Sequence, residues 1–135
     1  MENGGMCLGY SDAHYGHPRN MIVAKEPENM GQGWETARRL DRPEILTADT
    51  NGILQVPGNE WSIFRLGVIG HIARVQVDTT HFKGNFPDSF SLEAGLFYAC
   101  DKELEKADLT WTTLLPRTKV NANAIRYAER MRIGC

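Results

Sequence analysis

The sequence predicts an all-β protein built as a single β-sandwich. Thirteen glycines and six prolines punctuate the 135 residues in short clusters, which is typical of strands joined by turns. No window repeats apolar residues at helical spacing over several turns, whereas residues 71–79 alternate with a period of two. The length fits one domain, and residues 1–135 show neither a linker nor an internal repeat.

The first predicted element is a β-hairpin whose turn is Asn51-Gly52. Its strands are residues 44–48 and 53–56, and Pro57-Gly58 ends the second of them. Both central residues of such a turn tolerate a positive φ, so we expect a two-residue turn between paired strands.

Two further strands follow the hairpin. Residues 61–66 are aromatic and β-branched on both faces, which favours a strand near the middle of the sandwich. In residues 71–79 apolar and polar side chains alternate, and the apolar face is Ala73, Val75 and Val77. This alternation is typical of a half-buried antiparallel strand.

The C-terminal part of the chain is predicted to hold two strands and a short helix. Residues 90–94 alternate again, residues 101–108 are rich in charged helix formers, and residues 111–115 form a strand that Pro116 ends. The pattern assigns no clear element beyond Asn121. The large aromatic side chains expected in the core are Trp34, Trp61 and Trp111.

Composition argues against several classes of partner. Fifteen Lys plus Arg against seventeen Asp plus Glu give a net charge of -2, without the basic excess that binding nucleic acid requires. Apolar runs of only a few residues predict no contact with a membrane. Residues 1–5 lack the pattern of a signal peptide, and three widely spaced cysteines predict reduced thiols, so we expect an intracellular, cytoplasmic or peroxisomal, location.

A first cluster of reactive side chains lies in residues 11–20. His14 and His17 suggest a metal site, but the Gly and Pro between and beside them exclude a helix that would aim both rings together. The segment is alternatively a solvated loop in which Asp12 and Asn20 cap turns, or a catalytic or substrate-binding loop. We predict no metal and no cofactor.

A second cluster lies in residues 31–39. It lacks the lysine and the preceding apolar strand of a phosphate-binding loop, so nucleotide binding is not expected. Arg38 and Arg39 offer guanidinium groups that bind a carboxylate at two points, and Glu35 offers an acceptor for an amide or ureide N–H. The spacing alone slightly favours a structural ion pair between the same side chains, because paired Glu and Arg are common at protein surfaces.

A third cluster lies in residues 77–88, where the alternating strand leads directly into a polar loop. Histidine is the side chain type best suited to exchange protons near neutral pH, and Asp78 would orient His81 or act as a base, so the two have the parts for proton transfer. The alternative is a histidine satisfied by packing beside Phe82 and Phe86.

The three clusters together resemble the allantoicase family. The motifs that carry the resemblance are Gly33-Trp34-Glu35-Thr36 with Arg38-Arg39, residues 61–67 and residues 77–88, in this order. Residues 11–20 are similar to the start of the second of that family's two repeats. The resemblance covers residues 7–89 and continues more loosely from Trp111 to Thr118.

The resemblance implies a jelly-roll β-sandwich of the galactose-binding-like kind. It also implies hydrolysis of allantoate to ureidoglycolate and urea, a step of purine degradation. The chain corresponds to one repeat without its closing strand or strands, so we expect it to form a homo-oligomer or to associate with a full-length chain. The rival interpretation is a non-catalytic β-sandwich module that binds a small ligand or a partner subunit.

Hydrolysis of allantoate would divide the candidate residues between binding and catalysis. The residues expected to bind the substrate carboxylate and its ureido groups are Arg38, Arg39, Thr79 and Asn85. We expect His81 or His14 to protonate the departing urea. Glu35 or Asp78 is expected to activate the water.

Overall fold

A computed structural model describes residues 2–97 and 109–129. Within these ranges the regular structure is six strands and three short 3-10 helices, which confirms the all-β class. The strands are β1 (Met6–Tyr10), β2 (Ser62–Arg65), β3 (Arg74–Asp78), β4 (Ser89–Ala94), β5 (Thr112–Lys119) and β6 (Ile125–Glu129). The 3-10 helices are Glu2–Gly4, Pro18–Ile22 and Met30–Gln32.

The strands pair antiparallel as β1–β2, β3–β6 and β4–β5. Strands β1 and β6 are not predicted by the sequence pattern, because neither shows a clean alternation of apolar and polar residues. The pairing of β1 with β2 brings Gly9 against the ring of Trp61, where a Cβ would lie 3.4 Å from the ring. Each pair joins segments distant in sequence, which local patterns do not report.

The predicted hairpin forms only a tight turn. An isolated bridge joins Ala48 to Leu54, so the prediction of two full strands beside it is wrong. Gly52 has a φ of 76°, whereas Asn51 does not adopt a positive φ, and the expected two-residue turn is therefore also wrong. Instead, the tight turn runs from Asp49 to Gly52: the Gly52 N–H donates to the Asp49 carbonyl at 3.0 Å, and the Asp49 carboxylate accepts the backbone N–H of Asn51 at 2.8 Å.

Strand β3 confirms the clean alternation. Its side chains are exposed and half-buried in turn, with Val75 and Val77 on the half-buried face. The strand is shorter than the predicted residues 71–79, and its partner is β6.

Strand β5 runs through Pro116, so the prediction that this proline ends the strand is wrong. Phe90 pairs with Thr118, and Leu92 pairs with Leu115. Between these two pairs the chain advances by two residues in β4 but by three residues in β5. The extra residue is a β-bulge, and a proline is tolerated there because a bulge leaves one residue outside the ladder of hydrogen bonds.

The buried core of the described chain is small. Its buried apolar side chains are Ile53, Val120 and Pro18. Trp61 and Trp111 are 46% and 43% exposed, so the expectation that they lie in the core is wrong for this chain by itself. Strand β2, which ends in exposed Arg65, has a half-buried and not a fully buried pattern, contrary to the expected central position.

The predicted helix over residues 101–108 lies outside the described residues. So do Cys100 and Cys135, whereas Cys7 is a free thiol whose pKa is raised by burial. A helix able to cross a bilayer is not found in residues 2–97 and 109–129. The cellular compartment stays a prediction.

Candidate functional site

Three loops, residues 11–20, 27–37 and 79–86, meet at one surface. The first two are joined by a short antiparallel bridge, in which Glu35 N–H donates to the Gly16 carbonyl at 3.2 Å and its own carbonyl accepts from Gly16. The second and third are joined through side chains of Glu35 and Asn85. We call this surface the three-loop junction.

Asp12 fixes the first loop against the second. Its Oδ2 accepts the backbone N–H groups of Ala37 at 2.7 Å and His14 at 3.1 Å, and its carbonyl accepts the indole N–H of Trp34 at 2.8 Å. The hydrogen bond from Ala37, followed by that from His14, lowers the pKa of Asp12. Asp12 therefore caps a turn, as one of the sequence alternatives proposed. Its hydrogen bond from Ala37 also holds the residue before Arg38 in place.

Two glycines let the loops approach closely. A Cβ on Gly33 would lie 2.8 Å from the ring of Phe82, and a Cβ on Gly16 would lie 2.5 Å from the Gly33 carbonyl oxygen. Both distances are too short for any other residue without a shift of its neighbours. The Asn20 amide adds a hydrogen bond of 3.0 Å to the Gly33 carbonyl.

Glu35 and Asn85 meet where the second and third loops touch. The Asn85 amide donates to Glu35 Oε1 at 2.7 Å, although the two residues are fifty positions apart in the chain. Glu35 is half-buried and Asn85 is exposed, so the pair lies at a surface that a ligand can reach. The fold thus brings together two of the predicted site residues.

His81 is held in a strained conformation on the third loop. Its φ is 74°, a left-handed value that non-glycine residues adopt rarely and often at functional sites. The Asn123 side chain accepts its backbone N–H at 2.9 Å, and its Nε2 lies 2.9 Å from the Pro27 carbonyl. Because a carbonyl only accepts, Nε2 carries the proton and Nδ1 is the nitrogen left for a ligand.

Thr79 is buried, with 3% of its surface exposed. Its hydroxyl donates to the Asn121 carbonyl at 2.7 Å and accepts the backbone N–H of Ala124 at 3.1 Å. The hydroxyl is therefore used inside the protein, and Thr79 anchors the third loop to residues 121–124. Asn123, at the same anchor, was missed by the sequence analysis, although asparagine is one of the few residues that tolerate its φ of 47°.

Asp78 caps the start of the third loop. Its Oδ1 accepts the Thr80 N–H at 2.7 Å, and the described chain contains no hydrogen bond from Asp78 to the His81 ring. The two residues are close in sequence, yet the expected orienting contact between them is not formed.

Arg38 and Arg39 differ in their surroundings. The Arg39 guanidinium donates to Asp41 at 3.0 Å and 2.5 Å and to Glu60 at 3.2 Å, and the hydrogen bonds with Asp41 raise the pKa of Arg39. Arg38 is exposed, and within residues 2–97 and 109–129 it makes no hydrogen bond or ion pair. Arg39 thus has a structural role, but its ion-pair partners are Asp41 and Glu60 and, within the described residues, not the Glu35 expected from the sequence. Arg38 offers the accessible guanidinium.

His14 and His17 do not point to a shared ligand. The exposed His14 ring packs edge-on against Tyr15 with centroids 4.5 Å apart, and His17 Nδ1 accepts the Arg19 N–H at 3.0 Å. No three His, Cys, Asp or Glu side chains come together as metal ligands among the residues that the structure describes. His14 is placed by the Asp12 hydrogen bond beside the second loop.

The chain matches one family over nearly its whole length: residues 1–132 fit the family model described as "Allantoicase repeat". Similar proteins include the "Probable allantoicase" of Photobacterium profundum, 42% identical over 125 residues, and that of Stutzerimonas stutzeri, 43% identical over 123 residues. These alignments cover 92% and 90% of this chain but 33% of each relative.

Solved structures give the same result. The crystal structure of allantoicase from Saccharomyces cerevisiae matches with a TM-score of 0.71 and 29% identity, over 96% of this chain and 33% of that chain. A second allantoicase structure matches with a TM-score of 0.68 and 28% identity. The similarity confirms the all-β sandwich fold, and the chain spans a third of the length of the proteins that it matches.

Proposed function

Because this chain belongs to the allantoicase family, we propose that it takes part in the hydrolysis of allantoate to ureidoglycolate and urea. The contact between Glu35 and Asn85 at the three-loop junction is the observation that carries the proposal. It joins a carboxylate able to act as a base to an amide able to bind a ureido group, at a surface open to solvent.

The substrate carboxylate needs a cation that is not already neutralised. Arg38 meets this requirement, because within the described ranges its guanidinium makes no hydrogen bond or ion pair, and it follows the anchored Ala37 directly. Its planar fork suits a two-point contact with a carboxylate. Arg39 is the weaker candidate, since Asp41 and Glu60 already occupy its donors.

The ureido groups need partners that both donate and accept. The Asn85 side chain has both capacities, and rotation of its amide away from Glu35 would release them toward a ligand. Thr79 has a positioning role in this proposal, because its buried hydroxyl holds the loop that carries Asn85.

Cleavage then requires a proton for the leaving nitrogen and a nucleophile for the carbon. Protonated His81 donates through Nδ1 to the ureido nitrogen as its bond to the central carbon breaks, and urea leaves. Glu35 takes a proton from water, whose oxygen bonds to that carbon and becomes the hydroxyl of ureidoglycolate. One water is consumed. His81 loses one proton and Glu35 gains one, and proton exchange with solvent then restores both side chains.

His14 and Asp78 are the alternative acid and base. His14 is exposed and anchored beside the second loop, which supports it as a second proton donor. Asp78 is engaged by the Thr80 N–H, and this favours Glu35 as the base.

Residues 1–135 are proposed to form one repeat that works in an assembly. The aligned region spans 33% of the length of one such relative, and the assembly that we propose is a homo-oligomer or an association with a full-length chain of the family. The expected association is with another chain of this family.

The test is release of urea and ureidoglycolate from allantoate by monodisperse protein, compared with His81→Ala. We expect release by the wild type and a loss of turnover of at least about a hundredfold in the variant. The matched control is His71→Ala, an exposed histidine outside the three loops. Folded wild-type protein without release, alone and mixed with a catalytically inactive variant of a full-length relative, would contradict the catalytic proposal.

A second candidate function is a non-catalytic module that binds a partner subunit. The observation that favours it is the surface: Leu40, Ile45 and Val68 are 96%, 81% and 79% exposed, while the buried core is small. Sedimentation of the chain with and without a full-length relative tests this function. A stable complex with a catalytically inactive variant of that relative, without urea release, would support the module and contradict catalysis by this chain.

A further inference from the structure

Met30 lies in the second loop of the three-loop junction, beside the contact between Glu35 and Asn85. Its thioether sulfur is 3.9 Å from the side-chain nitrogen of Asn85, within hydrogen-bond range for sulfur. The same nitrogen donates to Glu35 Oε1 at 2.7 Å. A carboxamide nitrogen carries two N–H groups, so the carboxylate and the thioether share them.

Backbone hydrogen bonds hold Met30 in place. It begins the 3-10 helix Met30–Gln32, which the Asn29 side chain caps by accepting the Gly31 N–H at 3.0 Å. The Gly33 N–H donates to the Met30 carbonyl at 3.1 Å. The thioether therefore extends from a fixed backbone, and its remaining freedom is rotation about its own side-chain bonds.

The two acceptors determine which way the Asn85 amide faces. A carboxylate and a thioether both accept hydrogen bonds and donate none, so both require the nitrogen of the amide, and not its oxygen, on their side. The thioether of Met30 is the weaker acceptor of the two. A change in its acceptor strength would alter how Asn85 divides its N–H groups between Met30 and Glu35.

The side chain of Met30 is open to oxidants in solution. Met30 is 47% exposed, a value close to the 42% of Met6 and the 48% of Met21. Oxidation turns an exposed thioether into a polar sulfoxide. In the described chain neither Met6 nor Met21 makes a hydrogen bond to Glu35 or Asn85, so these two methionines are internal references for the effect of oxidation by itself.

We propose that Met30 is an oxidation site whose state controls the orientation of Asn85 at the three-loop junction. A hydroperoxide transfers one oxygen atom to the sulfur: its O–O bond breaks, an S–O bond forms, the sulfur loses two electrons, and the hydroperoxide is reduced to water or an alcohol. The sulfoxide oxygen is a stronger acceptor than the thioether, so it competes with Glu35 for the Asn85 amide. Any effect on catalysis rests on the proposed function, whereas the change at Asn85 does not.

The test follows the side-chain amide NMR signals of Asn85 before and after treatment with hydrogen peroxide, while peptide mass spectrometry identifies the oxidised methionines. We expect these signals to shift in the wild type and to return after treatment with methionine sulfoxide reductases for both sulfoxide epimers. Met21→Leu should respond as the wild type does. Met30→Leu, which keeps a similar volume but has no sulfur, should show no shift on oxidation.

A second variant tests the proposal without an oxidant. Met30→Gln places a strong oxygen acceptor at the end of an unbranched side chain, and we expect it to shift the Asn85 signals in untreated protein. Unshifted Asn85 signals in wild type with oxidised Met30, or an equal shift in oxidised Met30→Leu, would overturn the inference. So would Met30 that stays reduced while Met6 and Met21 are oxidised.

Urea release is measured in the same samples to keep the two proposals apart. If both hold, oxidation lowers the wild-type rate about fivefold and leaves Met30→Leu at the rate of its own untreated sample. Asn85 signals that shift in a protein without urea release support the oxidation site and contradict the proposed function. Urea release that oxidation of Met30 leaves unchanged, with unshifted Asn85 signals, does the opposite.

Discussion

Replacing Thr79 by valine tests whether the anchor behind the third loop stabilises the fold. Valine has nearly the same shape, so the substitution removes the hydroxyl without leaving a large cavity. It deletes the hydrogen bond donated to the Asn121 carbonyl at 2.7 Å and the one accepted from the Ala124 N–H at 3.1 Å. The hydroxyl also lies 3.1 Å from the Ala124 carbonyl, so the perturbation is confined to these three contacts of one buried hydroxyl.

The expected loss follows from the burial of this hydroxyl. An intramolecular hydrogen bond contributes about 1 kcal/mol net, and a buried partner left unsatisfied adds to the cost. The Ala124 carbonyl keeps its hydrogen bond from the Thr79 N–H at 2.8 Å, so the damage is limited to the other groups. We expect the free energy of unfolding to fall by about 2 kcal/mol.

Urea unfolding measures this loss. With a slope of about 2 kcal/mol per molar urea, the midpoint should fall by about 1 M at an unchanged slope. The matched control is Thr118→Val, whose half-buried hydroxyl makes one local hydrogen bond to the Pro116 carbonyl, and it should change stability by about 0.5 kcal/mol or less. Equal midpoints for Thr79→Val and Thr118→Val would refute the reasoning.

Two other predictions concern close packing and pH. Gly33→Ala places a methyl group 2.8 Å from the Phe82 ring and should cost about 1–3 kcal/mol in urea unfolding, whereas Gly70→Ala, with open space around it, should cost less than about 1 kcal/mol. The pKa of Asp88 is lowered in the folded protein, where the carboxylate pairs with Lys119. The ion pair therefore contributes its full stabilisation at pH values above the unfolded-state pKa of about 4. This stabilisation is lost as the pH falls through the lower pKa of the folded protein. Unfolding at a series of pH values should show Asp88→Asn less stable than the wild type at neutral pH, with the difference shrinking below pH of about 4; a difference independent of pH would contradict this assignment.

The strands predicted correctly are those with a local signal. The alternation in β3 and β4 is written into a few consecutive residues, and the structure confirms both. Strand β1 lacks that signal, since Gly9 interrupts it, and its strand partner begins at Ser62, more than fifty positions away. Local periodicity does not report such distant pairing.

The same limit applies to the candidate site. Glu35 and Asn85 are recognisable from the sequence as reactive residue types, but their contact depends on how two loops fold together. The sequence did not decide the roles of Thr79 and Arg39. Residue type alone does not distinguish a buried hydroxyl from an accessible one, or a paired guanidinium from an unpaired one. Only burial and hydrogen bonding separate these cases, as they do for Thr79 at 3% exposure.

The most direct test of the central claim is the rate of urea release from allantoate by Glu35→Gln. Glutamine keeps the shape and the contact with Asn85 but cannot take a proton from water. We predict that kcat falls at least about a hundredfold while Glu93→Gln, an exposed glutamate on strand β4 outside the three loops, stays within about twofold of the wild type. Equal rates for Glu35→Gln and the wild type would contradict the assignment of the three-loop junction as the catalytic site.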